Sequence, residues 1–156
     1  MGKTTEFIQT NDRIVSLKNV SNINVLQTNR IVFNMNYNIE IEKGNSYKFI
    51  SDYVYWDLLS KDQLEFALNK IKNNKYFKEN FINNGNTYIN INEISSIKFS
   101  DKKLRIIINL SHPVSFIDYY GNENITSEFV YWNYNTLKEY NEAKSLLHIL
   151  LDIKEN

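Results

Sequence analysis

The sequence repeats itself, and this repeat constrains the fold more than any other feature. Residues 14–23 align with residues 88–97 without a gap, and every apolar position in the two segments matches. Such ordered self-similarity is the signature of a duplicated folding unit. We therefore predict two copies of one unit, at residues 1–78 and 79–156, that together form one compact fold.

Further landmarks recur in the same order along both copies. An aromatic segment at residues 53–56 matches residues 129–132, and four residues after each Trp a helix start has capping-box form, at Ser60 and at Thr136. Between these landmarks an alternating strand places three apolar residues of the first copy on three of the second: Phe33, Met35 and Tyr37 on Ile106, Ile108 and Leu110.

Apolar and polar residues alternate within each copy before a helical pattern begins. The alternation at residues 33–41 is typical of a sheet with one wet face, and apolar stripes predict helices at 60–73 and 136–154. Pro113 predicts an end or a bulge in the third strand of the second copy. Each unit is predicted as β-β-β-β-α. The fold class is α+β, an internal duplication of a four-stranded antiparallel sheet plus a C-terminal helix.

Charge and composition exclude several classes of protein. Eighteen basic and eighteen acidic residues cancel, which argues against a surface that is basic overall, as in many duplex-binding domains. The chain has no Cys, so disulfides and thiolate metal sites are excluded. It has two His in unlike contexts, and no catalytic motif. We predict a protein that is not an enzyme and has no cofactor and no metal site.

The expected location and origin follow from apolar runs and residue usage. The longest apolar runs are too short to span a bilayer, and residues 1–12 lack the apolar stretch of a secretory signal. We therefore expect a cytoplasmic protein with no membrane partner. Asn, Lys, Ile and Tyr are abundant and Arg is scarce, a bias typical of an A/T-rich bacterial or phage genome.

The repeated aromatic segments supply candidate binding residues. On a strand, alternate side chains point to opposite faces, so each Trp is expected to be buried against a helix. The other aromatic side chains of the two segments would lie on the opposite face: Tyr53, Tyr55, Phe129 and Tyr131. That face is either covered by the sister unit or left exposed as a platform on which unpaired bases stack.

Basic residues flank one hairpin of the second copy, where they would hold phosphate or form a solvated turn. They are Lys98, Lys102, Lys103 and Arg105. A tandem β-β-β-β-α unit of this kind resembles the architecture of the Pur-alpha and Whirly families, which bind single-stranded nucleic acid with two such units or a dimer of them. The resemblance implies a partner that is single-stranded DNA or RNA.

The last helix supports a second hypothesis. It carries apolar residues outside its main stripe, and these need a partner, either the first unit or another chain. They are Leu146, Ile149, Leu151 and Ile153. The alternative function is therefore a protein-interaction or regulatory accessory module of a bacterium, phage or mobile element. In this hypothesis a homodimer or a protein partner forms through the last helix or the same sheet face.

Overall fold

The structure is a computed structural model. It describes the backbone of residues 6–43, 46–117, 120–121 and 123–152, and the side chains of residues 6–36, 53–111, 120–121 and 129–152. Every strand pair within these ranges is antiparallel, and the last element is a helix. The predicted α+β class is confirmed. None of the helices described is long and apolar enough to cross a membrane.

The two units contain the same elements in the same order. In the first unit these are β1 (Phe7–Gln9), β2 (Ile14–Ser16), β3 (Val20–Leu26), β4 (Arg30–Lys43), β5 (Ser46–Asp57) and α1 (Lys61–Lys72). In the second unit they are β6 (Phe81–Asn84), β7 (Thr87–Asn90), β8 (Ile94–Ser100), β9 (Arg105–Ile117), β10 (Glu123–Asn133) and α3 (Leu137–Leu150). A short helix, α2 (Lys75–Asn80), spans the predicted boundary at residue 78, and the placement of that boundary stays a prediction.

Each unit has one more strand than predicted. A hairpin, β1–β2 or β6–β7, precedes the three longer strands, and a 3₁₀ turn at Leu17–Asn19 or Ile91–Glu93 joins it to them. The strands of these hairpins have only three or four residues. That length is too short to show a clear alternation of apolar and polar positions. The sequence pattern therefore does not resolve the two strands of each hairpin as separate elements.

The sheets show how the units are joined. The strand order is β5-β4-β3 in the first unit and β10-β9-β8 in the second. The first hairpin forms a two-stranded sheet of its own, whereas the second hairpin pairs with the first unit: β7 lies beside β3, with Ile23 opposite Tyr88. The first unit's sheet therefore has the five-stranded order β5-β4-β3-β7-β6, and two of these strands come from the second unit.

One predicted alignment between the units is wrong by two residues. Ile31 lies opposite Trp56 and Ile106 opposite Trp132, so Ile106 corresponds to Ile31 and not to Phe33. By the same register Ile108 corresponds to Phe33 and Leu110 to Met35. The turn before β9 is one residue longer than the turn before β4, at 101–104 against 27–29. Because the error is two residues and side chains alternate along a strand, the predicted apolar face is unchanged.

Both long hairpins are irregular at the corresponding place. The register of β4 with β5 shifts between Asn34 and Asn38, and that of β9 with β10 shifts between Ser127 and Phe129. Strand β9 continues through Pro113, which lies opposite Ser127 beside this irregularity. Of the predicted end or bulge at Pro113, the strand does not end there, and a register shift lies beside it.

Each unit has its own apolar core beneath its helix. Trp56 and Trp132 are both 5% exposed and lie in these two cores, as their matching positions predict. The Ser60 and Thr136 hydroxyls each accept a bond from a backbone N–H three residues on, at 3.2 Å, so both predicted caps are present. Leu150 on α3 is about half exposed.

Candidate nucleic-acid interface

The sheet register places the four aromatic candidates on the face away from the helices. In β5 the side chains of Val54 and Trp56 point into the core, so Tyr53 and Tyr55 point the other way, and β10 repeats the pattern. The exposed fractions are 45% for Tyr53, 50% for Tyr55, 44% for Phe129 and 46% for Tyr131. About half of the surface of each of these residues is therefore accessible.

An arginine lies over the second aromatic ring in each unit. The Arg30 guanidinium is 4.5 Å from the centre of the Tyr55 ring, and that of Arg105 is 4.6 Å from the centre of the Tyr131 ring. Each arginine begins the strand next to its tyrosine, immediately after the turn. Such contacts combine cation–π attraction with planar stacking. The arrangement is thus part of the duplicated unit.

Among the described side chains, a carboxylate neutralises this arginine in the first unit and not in the second. Arg30 forms an ion pair with Asp57, Nε to Oδ1 at 2.5 Å, and this hydrogen bond raises the pKa of Arg30 above its usual value. Arg105 donates from Nε to the amide oxygen of Asn133 at 2.7 Å, which carries no charge. Because Asn133 stands where the first unit has Asp57, the second unit keeps a positive charge over its tyrosine that no described carboxylate neutralises.

The predicted basic residues gather around the second aromatic pair. Lys98 is exposed and lies opposite Ile107, which in turn lies opposite Tyr131, so Lys98 and Tyr131 share a face. Lys102 and Lys103 are exposed in the turn just before Arg105. Phe129 and Tyr131 contact each other with ring centres 4.9 Å apart. The second unit therefore brings two aromatic rings, Lys98 and Arg105 to one face, and Lys102 and Lys103 lie in the turn at its edge.

A groove connects the aromatic residues of the two units. It has a volume of about 630 Å³, which is in the range of small-ligand sites. Its wall includes Tyr53 and Tyr55 from the first unit and Phe129 from the second. The other lining residues come mainly from β3 and β4 and from the β6–β7 turn: Asn22, Asn24, Val25, Leu26, Arg30, Val32, Asn34, Asn86, Thr87 and Val130.

The floor of the groove is a row of amides joined by hydrogen bonds. Asn34 and Asn24 both donate to Asn22 Oδ1, the second at 3.2 Å, and Thr87 donates its hydroxyl to Asn24 Oδ1 at 3.2 Å. Asn34 Oδ1 is buried without a hydrogen-bond partner among the described residues. Asn34 lies opposite Tyr53. An unpaired acceptor therefore lies beside an exposed ring.

Sequence reasoning missed the groove floor and Arg30. Arg30 follows the first turn as Arg105 follows the second, and this match was available once the longer turn was placed correctly. The amides gave no comparable signal, because Asn is abundant throughout the chain. Their alignment depends on the register of three neighbouring strands, which is a tertiary property.

Within the described ranges no three acidic or histidine side chains lie close enough together to hold a metal ion. Compared with models of known protein families, with curated proteins and with solved structures, the chain matches none.

Proposed function

We propose that this protein is a non-enzymatic binder of single-stranded DNA or RNA. The observation that carries the proposal is the arginine-capped aromatic pair that recurs, half exposed, on the same face of both units. Every nucleobase has a π-face, so exposed rings on a sheet bind unpaired bases with little dependence on sequence. Bases stack on Tyr53, Tyr55, Phe129 and Tyr131 in this proposal.

The second unit makes most of the phosphate contacts in this proposal. Arg105 lies over Tyr131 without a carboxylate partner among the described residues, and Lys98 shares that face. Lys102 and Lys103 extend the positive charge along the adjacent turn. In the first unit Asp57 neutralises Arg30, so that unit contributes stacking and the amide floor of the groove. A bound single strand of nucleic acid then runs from the second unit into the groove.

The resemblance to the Pur-alpha and Whirly families supports the same function. It concerns the repeated arrangement of antiparallel strands closed by a helix, with one strand more per unit than the resemblance assumed. Fold likeness is associational, so the residues of the face carry the proposal.

Fluorescence anisotropy with labelled oligothymidine at low salt tests the proposal. We expect binding that weakens with salt, with a slope of log affinity against log salt of about −2 to −4, because only a few cations face the site. Duplex DNA binds more weakly, since its bases are already stacked. Tyr131→Ala and Tyr55→Ala each weaken binding by about 1–3 kcal/mol.

Matched variants make the test specific. Phe66 on α1 is 68% exposed and lies on the helix side of the sheet, so Phe66→Ala should leave the affinity unchanged. Replacing Lys102 and Lys103 by Gln should reduce the salt slope by about 2, one for each lost phosphate contact. No binding at tens of micromolar protein, or equal losses in Phe66→Ala and Tyr131→Ala, would contradict the proposal.

The alternative function is a protein-interaction module that docks through α3. Leu146, Ile149 and Leu150 are 54%, 75% and 49% exposed and lie next to one another on this helix. Exposed apolar patches of this kind mark interaction sites. This alternative replaces the first if oligothymidine does not bind.

A further inference from the structure

The hairpin β6–β7 is apolar on both faces and is shared by two cores. Ile82 and Ile89, on one face, lie in the core of the second unit. Tyr88, on the other face, is 8% exposed and lies in the core of the first unit, where its ring centre is 5.4 Å from that of Phe77. Phe81 stacks on the same Phe77 at 4.9 Å. The hairpin therefore joins its own unit to the preceding one.

The equivalent hairpin β1–β2 has the same two faces, but only one is covered by the described residues. Ile8 and Val15 match Ile82 and Ile89 in register and lie in the core of their own unit. Phe7 and Ile14 match Phe81 and Tyr88, yet they are 47% and 64% exposed. These side chains occupy the positions that, in the second hairpin, reach into a preceding unit.

The pairing of β7 with β3 forms a joint between the two units, in which β3 is the acceptor strand. The equivalent acceptor strand of the second unit has an open edge among the described strands. Strand β3, which receives β7, has Val20 and Ile23 fully buried. Strand β8 is the equivalent strand and, among the described residues, lies at the edge of a three-stranded sheet, where Ile94 and Ile97 are only half-buried. An unpaired strand edge beside incompletely covered apolar residues is a template for a further strand.

We propose that the β1–β2 hairpin of one chain pairs with β8 of a second copy of the chain, in the register that joins β7 to β3. Ile14 then lies opposite Ile97 and Val15 opposite Ser96, as Tyr88 lies opposite Ile23 and Ile89 opposite Asn22. The contact joins two different surfaces, so repeating it gives either a closed ring or an open row of chains.

One pair in this joint is unfavourable, and it makes the proposal testable. Within the chain Asn24 lies opposite Thr87 and they share a hydrogen bond. At the equivalent position between chains Lys98 lies opposite Arg13. Like charges directly opposite each other in a sheet are destabilising. Arg13 also forms an ion pair with Asp12 of its own chain at 3.1 Å, which offsets part of this repulsion.

Sedimentation equilibrium of the full chain over a concentration series tests the joint. We expect weak, reversible association, because the proposed pairing of one short hairpin with β8 buries less surface than a standard interface. Ile14→Asp places a charge opposite Ile97 and should lower the association constant at least about tenfold. Lys98→Glu should raise it several-fold, because the introduced carboxylate would face Arg13, while the same change weakens oligothymidine binding.

The matched control is Ile149→Asp on α3. Ile149 is 75% exposed, more than Ile14, and lies on a different element, so this variant should associate as the wild type does. Circular dichroism checks that each variant is folded. A wild-type chain that stays monomeric at about 1 mM overturns the proposal. Association that is lost in Ile149→Asp and kept in Ile14→Asp also overturns it and assigns the contact to α3.

Discussion

Tyr140 is fully buried, yet its hydroxyl reaches an exposed carboxylate. The hydroxyl donates to Asp101 Oδ1 at 2.6 Å, and Lys144 Nζ lies 3.3 Å from the same oxygen. Burial, with the bond to Asp101, raises the pKa of Tyr140 to about 12. The bonds from Tyr140 and Lys144 lower the pKa of Asp101. Leu64 takes the equivalent place four residues after the first cap, so this cluster belongs to the second unit alone.

The raised pKa makes the fold sensitive to alkali. Because the folded state holds Tyr140 neutral, its contribution is complete below the ordinary tyrosine pKa of about 10 and is lost as the pH rises towards 12. We expect Tyr140→Phe to be less stable than the wild type at pH 8 but to lose less stability between pH 10 and 12. Urea unfolding across this range measures both. The control Tyr55→Phe should keep the alkaline loss, and an unchanged slope in Tyr140→Phe would contradict the assignment.

The two tryptophans each combine a large buried ring with an unpaired donor. The indole N–H groups of Trp56 and Trp132 have no hydrogen-bond partner among the described residues. Replacing either by Ala should lower the free energy of unfolding by about 3–5 kcal/mol. Phe at the same position fills most of the space and removes the unpaired donor, which itself costs about 1–3 kcal/mol. Trp132→Phe should therefore cost clearly less than Trp132→Ala in urea unfolding. Equal costs of the two substitutions would contradict this account.

Among the elements, α3 depends on its N-cap residue, Thr136, to begin where it does. Thr136 has an extended backbone, and its hydroxyl accepts from the N–H of Glu139 at 3.2 Å. Thr136→Ala leaves that N–H without a partner in the protein, so we expect a loss of about 1 kcal/mol in urea unfolding. Thr136→Ser keeps the hydroxyl and serves as the control. If the two variants unfold at the same urea concentration, the cap does not contribute as described.

At the scale of the whole molecule, the sequence predicts what is local and repeated. The capping residues Ser60 and Thr136 give both helix starts, and the alternation around Trp56 and Trp132 gives the buried and exposed faces of the last strands. These features depend on neighbours within a few residues, so a pattern in the chain determines them. The exposed aromatic candidates could be predicted for the same reason.

The remaining features depend on contacts between distant parts of the chain. Helix α2 has six residues and shows no stripe, although its Phe77 is buried against the second hairpin. The pairing of β7 with β3 depends on the packing of Tyr88 into the first core. The amide floor of the groove depends in turn on this pairing. No local pattern distinguishes that strand pairing from a hairpin that stays within its own unit.

The shared hairpin also sets the order in which the protein is completed. Asn24 of β3 and Thr87 of β7 are 63 residues apart in the chain. During synthesis the first unit emerges from the ribosome before the strand that closes its sheet, so the edge of β3 and the cavity awaiting Tyr88 face solvent in the nascent chain. A chain that stopped before residue 87 would keep that open edge, which is the kind of surface that chaperones bind and that aggregates form from.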